Sequence, residues 1–165
     1  MRLYIGIDNG TTGTIGVISK DRKVCDCILT PSMKEQSYTK KVKNITRIDH
    51  ETLYGILSTY DLSNAIAVLE RPLVNPGLFT ATISAVRSLE STLCVLERLG
   101  VAIQYEDSKK WQKELLGEGI KGSKDLKQSS KCVSQRLFPQ HFDVIQKHKD
   151  GDGLLLAEYG IRHNL

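Results

Sequence analysis

Apolar residues enter this chain in short runs separated by polar turns. Leu3-Tyr4-Ile5-Gly6-Ile7, within residues 2–8, reads as a buried strand, and Asn9-Gly10-Thr11-Thr12-Gly13 turns the chain into a second, residues 14–19. Lys20-Asp21-Arg22 leads to a third run, residues 24–29, whose loose alternation predicts the outer strand of an antiparallel meander. Residues 31–47 are polar and basic, with Lys34, Lys40, Lys41 and Lys43 and no period, which predicts a mobile loop. Asp49 is the expected N-cap of a helix running through Thr52 to Leu57 and ending near Asp61. The near-continuous apolar run 65–70 predicts an interior parallel strand, covered on both faces.

Arg71-Pro72 breaks that strand, and Asn75-Pro76-Gly77 introduces the longest helix, about 79–99. Phe79, Ile83, Val86, Leu89, Leu93, Leu96 and Leu99 recur at helical spacing and predict a core-facing stripe, with Val95 on a flank free for a dimer contact. Gly100 is the expected stop. A short strand, 101–105, precedes a helix over 109–116 that Ser108 caps and that holds the only tryptophan, Trp111. After Gly117-Glu118-Gly119 another helix begins at Ser123 and stops at Pro139, and the last helix starts at Asp150 to Asp152.

At 165 residues the chain suits one domain with a core large enough to need neither disulfide nor structural metal. Cys25 and Cys27, one residue apart, match no common zinc spacing, share a strand face and, with Cys94 and Cys132, read as reduced cytosolic thiols. No secretory signal or membrane-length apolar segment is visible, which implies a cytoplasmic protein. The net charge of +4 hints only weakly at a polyanionic partner. Its distribution is more telling, because residues 108–149 concentrate lysines, Lys113, Lys121, Lys124 and Lys127 among them, in a segment able to follow a phosphate backbone.

The candidate chemistry lies in four carboxylates. Asp8 and Glu70 close apolar strands, and Asp150 and Asp152 stand just before the apolar helix pattern 154–157. An unpaired charge ending so apolar a strand is costly unless it has a partner, and acids without histidine or cysteine suit Mg²⁺, with Mn²⁺ as a substitute. Two such ions, roughly 3.5 to 4 Å apart, activate water and neutralise a leaving oxygen in phosphodiester hydrolysis, with Asp8 expected to bridge them. Bland readings stand beside this one: Arg71 is a potential partner for Glu70, and helix capping accounts for either Asp150 or Asp152. Residues two apart on a helix face nearly opposite ways, so both aspartates reach one ion only if Asp150 precedes the first turn, a bend that Gly151 permits. His148 is an alternative ligand.

The element order, three strands, helix, strand, helix, strand, helices, is mixed α/β and matches the ribonuclease H-like arrangement, a mixed five-stranded sheet flanked by helices. The motifs Ile5-Gly6-Ile7-Asp8-Asn9-Gly10, Val68-Leu69-Glu70-Arg71-Pro72, Lys113-Glu114-Leu115-Leu116-Gly117-Glu118-Gly119 through Lys124, and Asp152-Gly153-Leu154-Leu155-Leu156-Ala157 resemble RuvC-like Holliday junction resolvases over nearly the whole chain. The resemblance implies a single nuclease domain over residues 1–165 with the first strand central and the strand ending in Glu70 beside it. It implies a homodimer that nicks four-way DNA junctions symmetrically with Mg²⁺. It also implies metal-binding, catalytic roles for Asp8, Glu70 and Asp152, to which the reading of the residues adds Asp150, and DNA contacts by Lys113 and Lys124, with Lys121 and Lys127 in the same segment.

The chain departs from the family where an aspartate or histidine usually stands three residues before the last aspartate; here that residue is Lys149. Asp150 or His148 substitutes, or three acids suffice. The family's base-wedging residue has Leu73 and Phe79 as candidates, with core packing the expected role for Phe79. Asp8 to Thr14 also resembles the phosphate loop of sugar kinases and actin-like ATPases, although 165 residues cannot hold both lobes of such a protein. A nucleic-acid-binding module that has lost activity is the other alternative, and Lys149 is its support.

Overall fold

A computed structural model describes the chain except for residues 39, 41–43, 73 and 121, so Leu73, Lys41, Lys43 and Lys121, singled out above, lie outside the described residues. Five strands form one mixed sheet: β1 (Leu3–Ile7), β2 (Thr14–Ser19), β3 (Cys25–Leu29), β6 (Ala65–Glu70) and β7 (Ala102–Glu106), in the order β3-β2-β1-β6-β7. The first three form the antiparallel meander, and β6 and β7 run parallel to β1. In the β1–β6 register Ile7 pairs with Leu69, so the next residues on the two strands, Asp8 and Glu70, are neighbours at the same sheet edge.

Strand alternation distributes the apolar residues to two layers. Leu3, Ile5, Ile7, Ala67 and Leu69 face α1 (His50–Leu57) and α2 (Phe79–Arg98), where Leu53, Leu57, Val95 and Leu96 are buried. Tyr4, Ile18 and Val68 face the other layer, α3 (Ser108–Leu116), α4 (Ser123–Leu137), α5 (Phe142–His148) and α6 (Asp152–Arg162), among Trp111, Leu115, Phe138, Ile145 and residues 154–157. Cys25 and Cys27 pack against this second layer, as one strand face requires. Helix α6 lies on β1 and β2 at backbone distance. A Cβ on Gly6 would stand 2.1 Å from the carbonyl oxygen of Gly153, and one on Gly153 would stand 2.4 Å from that of Thr14.

Several sequence expectations change. The stretch expected as a loop forms an antiparallel hairpin, β4 (Ser32–Gln36) with β5 (Asn44–Ile48). Its inward positions carry the ion pair Arg47–Glu35 beside Met33 and Ile45, so the two-residue period has little hydrophobic contrast to reveal it. Asp49 does cap α1, accepting from the Thr52 amide at 3.1 Å. The N-cap of α3 is Asp107 rather than Ser108. Helix α5, following a 3₁₀ turn at Pro139–His141, occupies a span with no expected element.

The α2 stripe divides. Val95, expected on a free flank, is buried at 4% exposure, while Phe79, expected in the core, is 72% exposed, and Ile83 and Val86 are exposed with it. Only the C-terminal half of α2 contributes to the core beneath the sheet.

Candidate active site

Each carboxylate is delivered by a different local device. Asp8 leaves β1 as the chain enters the β1–β2 turn, its amide donating to the Thr14 carbonyl at 3.1 Å. Gly13 leaves room for the Asp8 side chain, since a Cβ there would come within 2.8 Å of Asp8 Oδ2. Glu70 is the last residue of β6. Lys149, in the left-handed conformation at φ 57°, ends α5, and Gly151 precedes α6, so Asp150 stands in the link and Asp152 in the first turn. The sequence condition for both aspartates to act together, Asp150 ahead of the helix, is met.

Asp8, Asp150 and Asp152 each present a carboxylate oxygen such that all three lie within 4.8 Å of one another. Hydroxyls hold two of them. Thr14 Oγ1 donates to Asp150 Oδ1, and the same oxygen accepts from the Asp152 amide at 3.1 Å. Thr14 Oγ1 in turn accepts from the Gly153 amide at 3.1 Å, so β2 and the start of α6 are tied to the same acid. Ser130, on α4, donates to Asp152 Oδ1. Glu70 stands outside this triad, with its charge close enough to act on Asp8.

The electrostatics are those of crowded, half-buried acids. Burial pushes Asp8 well above the ordinary aspartate range, and the charges of Asp150, Asp152 and Glu70 push it further. Glu70 is raised to about 7, first by burial and then by Asp152, with Ser108 and Trp111 of α3 partly offsetting the rise. Asp152 is raised to about 6 by burial and by Asp150, against the pull of the Ser130 hydroxyl and Lys127. No lysine or arginine forms an ion pair with these four acids among the described residues. Arg71 is not the partner of Glu70: its guanidinium lies over the Tyr105 ring, 5.5 Å from the centroid. An all-oxygen donor set short of positive charge fits a hard divalent cation such as Mg²⁺, and it lacks the nitrogen and sulfur ligands that zinc prefers.

A cavity of about 260 Å³ opens beside the acids, lined by Asp8, Glu70, Asn9, Arg71 and, from α2, Thr82 and Ala85. Asn9 Nδ2 donates to the Ala85 carbonyl at 3.1 Å and fastens α2 across the end of β1. His148 and Lys149 are exposed, and His148 is not in the carboxylate group. Lys124 and Lys127 are exposed on the first turns of α4, where Lys127 and Ser130 lie three residues apart on the side facing Asp152. Lys113 is exposed and pairs with Glu118 at 2.9 Å next to the loop containing Gly117, Gly119 and Gly122, all at positive φ.

Sequence reasoning gave Ser130 no role, cast Arg71 only as a potential partner of Glu70, and met Thr14 only as the end of a phosphate-loop resemblance. Thr14 was legible, as the first residue after the glycine turn that carries Asp8. Ser130 was not, because nothing within 22 residues of chain marks its meeting with Asp152.

No protein-family model matches the chain and no curated protein sequence does. Among the solved structures that share its fold are two of RuvC. One is Thermus thermophilus RuvC in complex with Holliday junction substrate, 12% identical with a TM-score of 0.56, covering 99% of this chain and 96% of that one. The other is Thermus thermophilus RuvC, 13% identical with a TM-score of 0.54, covering 98% and 96%. The chain has the RuvC, ribonuclease H-like fold.

Proposed function

We propose that this chain is a cytoplasmic, divalent-metal-dependent endonuclease that resolves four-way DNA junctions as a homodimer, with residues 1–165 forming one nuclease domain. The observation that carries this reading is the meeting of Asp8, Asp150 and Asp152 in one group beside Glu70, from chain positions more than 140 residues apart, with no ion pair to a lysine or arginine among the described residues. Support also comes from the fold, shared with a RuvC structure described in complex with Holliday junction substrate. The position of Lys149, which favoured an inactive module, loses its force because Asp150 supplies a carboxylate from the next residue.

Asp8, Asp150, Asp152 and Glu70 are the residues that would hold Mg²⁺, which when bound supplies an activated water and relief of charge on the departing 3′-oxygen. Thr14 and Ser130 hold the Asp150 and Asp152 carboxylates in place beside Asp8, so little rotamer search remains when a cation binds. Arg71, held flat by Tyr105, gives the cavity a fixed cation suited to a backbone phosphate. Lys113, Lys124 and Lys127, with Lys121 by sequence, extend the positive surface along the flanking strand.

The test offers purified protein labelled four-way, forked and linear DNA with Mg²⁺. Paired symmetric nicks in the four-way substrate are expected, and Asp8→Asn should reduce cleavage at least about 10³-fold while leaving junction affinity within a few-fold. Normal cutting by Asp8→Asn would remove the metal assignment.

A further inference from the structure

The β4–β5 hairpin has no part in the carboxylate site, yet its chemistry points to a ligand. Segment 31–48 contains five basic residues, Lys34, Lys40, Lys41, Lys43 and Arg47, against one acid, Glu35. Arg47 is neutralised by Glu35 on the inward face. The outward face is built from Lys34 paired with Thr46 and Gln36 paired with Asn44, all exposed. Lys34 and Lys40 meet no carboxylate among the described residues. Beyond the strands stands Tyr38, 73% exposed.

Two-stranded ribbons are marginal alone in water, and this one is anchored at its root. The Asp49 amide bonds the Pro31 carbonyl at 2.9 Å, β5 packs on α2, and Arg87 of α2 donates to the Thr46 carbonyl at 3.3 Å. Five residues per strand give a reach of about 17 Å from that root. Helix α2 therefore has the ribbon on one side and the cavity beside Asp8, through Thr82 and Ala85, on another.

We infer that this hairpin is a nucleic-acid-binding arm, in which Lys34 and Lys40 contact backbone phosphates and Tyr38 stacks on a base left unpaired at a branch point. It rests on the reading of the protein as acting on branched DNA. A protein partner would call for an apolar centre on the contact face, and Lys34, Gln36, Asn44 and Thr46 supply only ammonium, amide and hydroxyl groups. An excess of unpaired lysine with one exposed aromatic is the combination that grips a phosphate chain and stacks bases irrespective of sequence.

The experiment measures binding of the full chain to fluorescently labelled four-way and linear duplex DNA by anisotropy, with Ca²⁺ replacing Mg²⁺, across a salt series. Lys34→Gln with Lys40→Gln should lower the slope of log affinity against log salt by about 1.8 on both substrates, two phosphate contacts' worth. Tyr38→Ala should weaken junction binding by about fivefold or more and leave linear duplex unchanged. It should also abolish quenching of a 2-aminopurine placed at the branch point. Unaltered slopes and unaltered junction affinity in these variants, with melting temperatures like wild type, would overturn the arm and leave the hairpin free for a protein contact. Wild-type cleavage in Mg²⁺ is scored in parallel. Cutting with arm-independent binding sinks this inference alone, and arm-dependent binding without cutting sinks the nuclease reading alone.

Discussion

Thr14 and Ser130 bind acids that would otherwise repel one another, and the cost of that crowding is readable in proton affinity. Glu70, raised from 4.5 to about 7, and Asp152, raised from 3.8 to about 6, hold protons in the folded chain that they release in the unfolded one. A folded state that binds more protons than the unfolded loses stability as pH rises, from about pH 4 up to the raised values. Asp21, Asp49 and Asp61 are shifted the other way, so their stabilising effect is already complete above about pH 4 and does not mask the trend. Metal-free protein should therefore melt at a lower temperature at pH 8 than at pH 5.5, by several degrees, and millimolar Mg²⁺ should narrow the gap. Asp8→Asn, by removing one acid from the crowded group, should raise the metal-free melting temperature at pH 8 by at least about 2 °C. Scanning calorimetry with and without chelator checks both, and a melting temperature that rises steadily from pH 5.5 to 8 would refute the crowding.

At the scale of elements, the site depends on how closely α6 approaches the meander. Gly6, Gly16 and Gly153 form that contact, and any Cβ on Gly153 meets the Thr14 carbonyl carbon at 2.6 Å as well as its oxygen. Gly153→Ala should lift the start of α6, breaking the hydrogen bond that the residue-153 amide donates to Thr14 Oγ1 and separating Asp152 from Asp8. The expected cost is about 1–3 kcal/mol, with loss of Mg²⁺-induced stabilisation. Urea unfolding with and without Mg²⁺ measures both, and a variant that keeps the full metal response would show that the helix has room to spare. Much of this arrangement was legible in the chain: strands β1, β2 and β6 announce themselves by apolar runs, Asp8 and Glu70 sit where two of those runs stop, and Asp150 and Asp152 stand just before the apolar run of α6. The hairpin was hidden because Glu35 and Arg47 occupy inward positions that an apolar pair would normally mark. Helix α5 was hidden by its length, with a single fully buried residue, Ile145, and so no repeat for a period to show. The division of α2 was hidden because its stripe continues past the sheet edge, and periodicity says which face is apolar without saying what covers it.

For the molecule as a whole, the proposed function of paired nicks on opposed strands would demand two sites related by a two-fold axis, which one chain cannot provide. The uncovered side of α2 is the surface with the means to build it. Phe79, Ile83 and Val86 are exposed within two turns of one helix, one of them at 72%, while Val95 further along is enclosed by the core. A two-fold crossing of two such helices would cover the same residues on each copy, an isologous contact of the kind that closes without propagating. Because Thr82 and Ala85 on the adjoining face line the cavity, the crossing would also set the distance between the two carboxylate groups. Wild-type protein should elute with a light-scattering mass near twice 18.4 kDa. Ile83→Glu, which places a charge at the centre of that patch, should shift the mass to the single-chain value with little change in helix content. On a supercoiled plasmid extruding a cruciform, the dimer should linearise the DNA by paired nicks, whereas the variant should accumulate singly nicked circles. Should Ile83→Glu remain dimeric and linearise the plasmid as fast as wild type, the two-fold contact lies on another face, and the apolar side of α2 requires a different occupant.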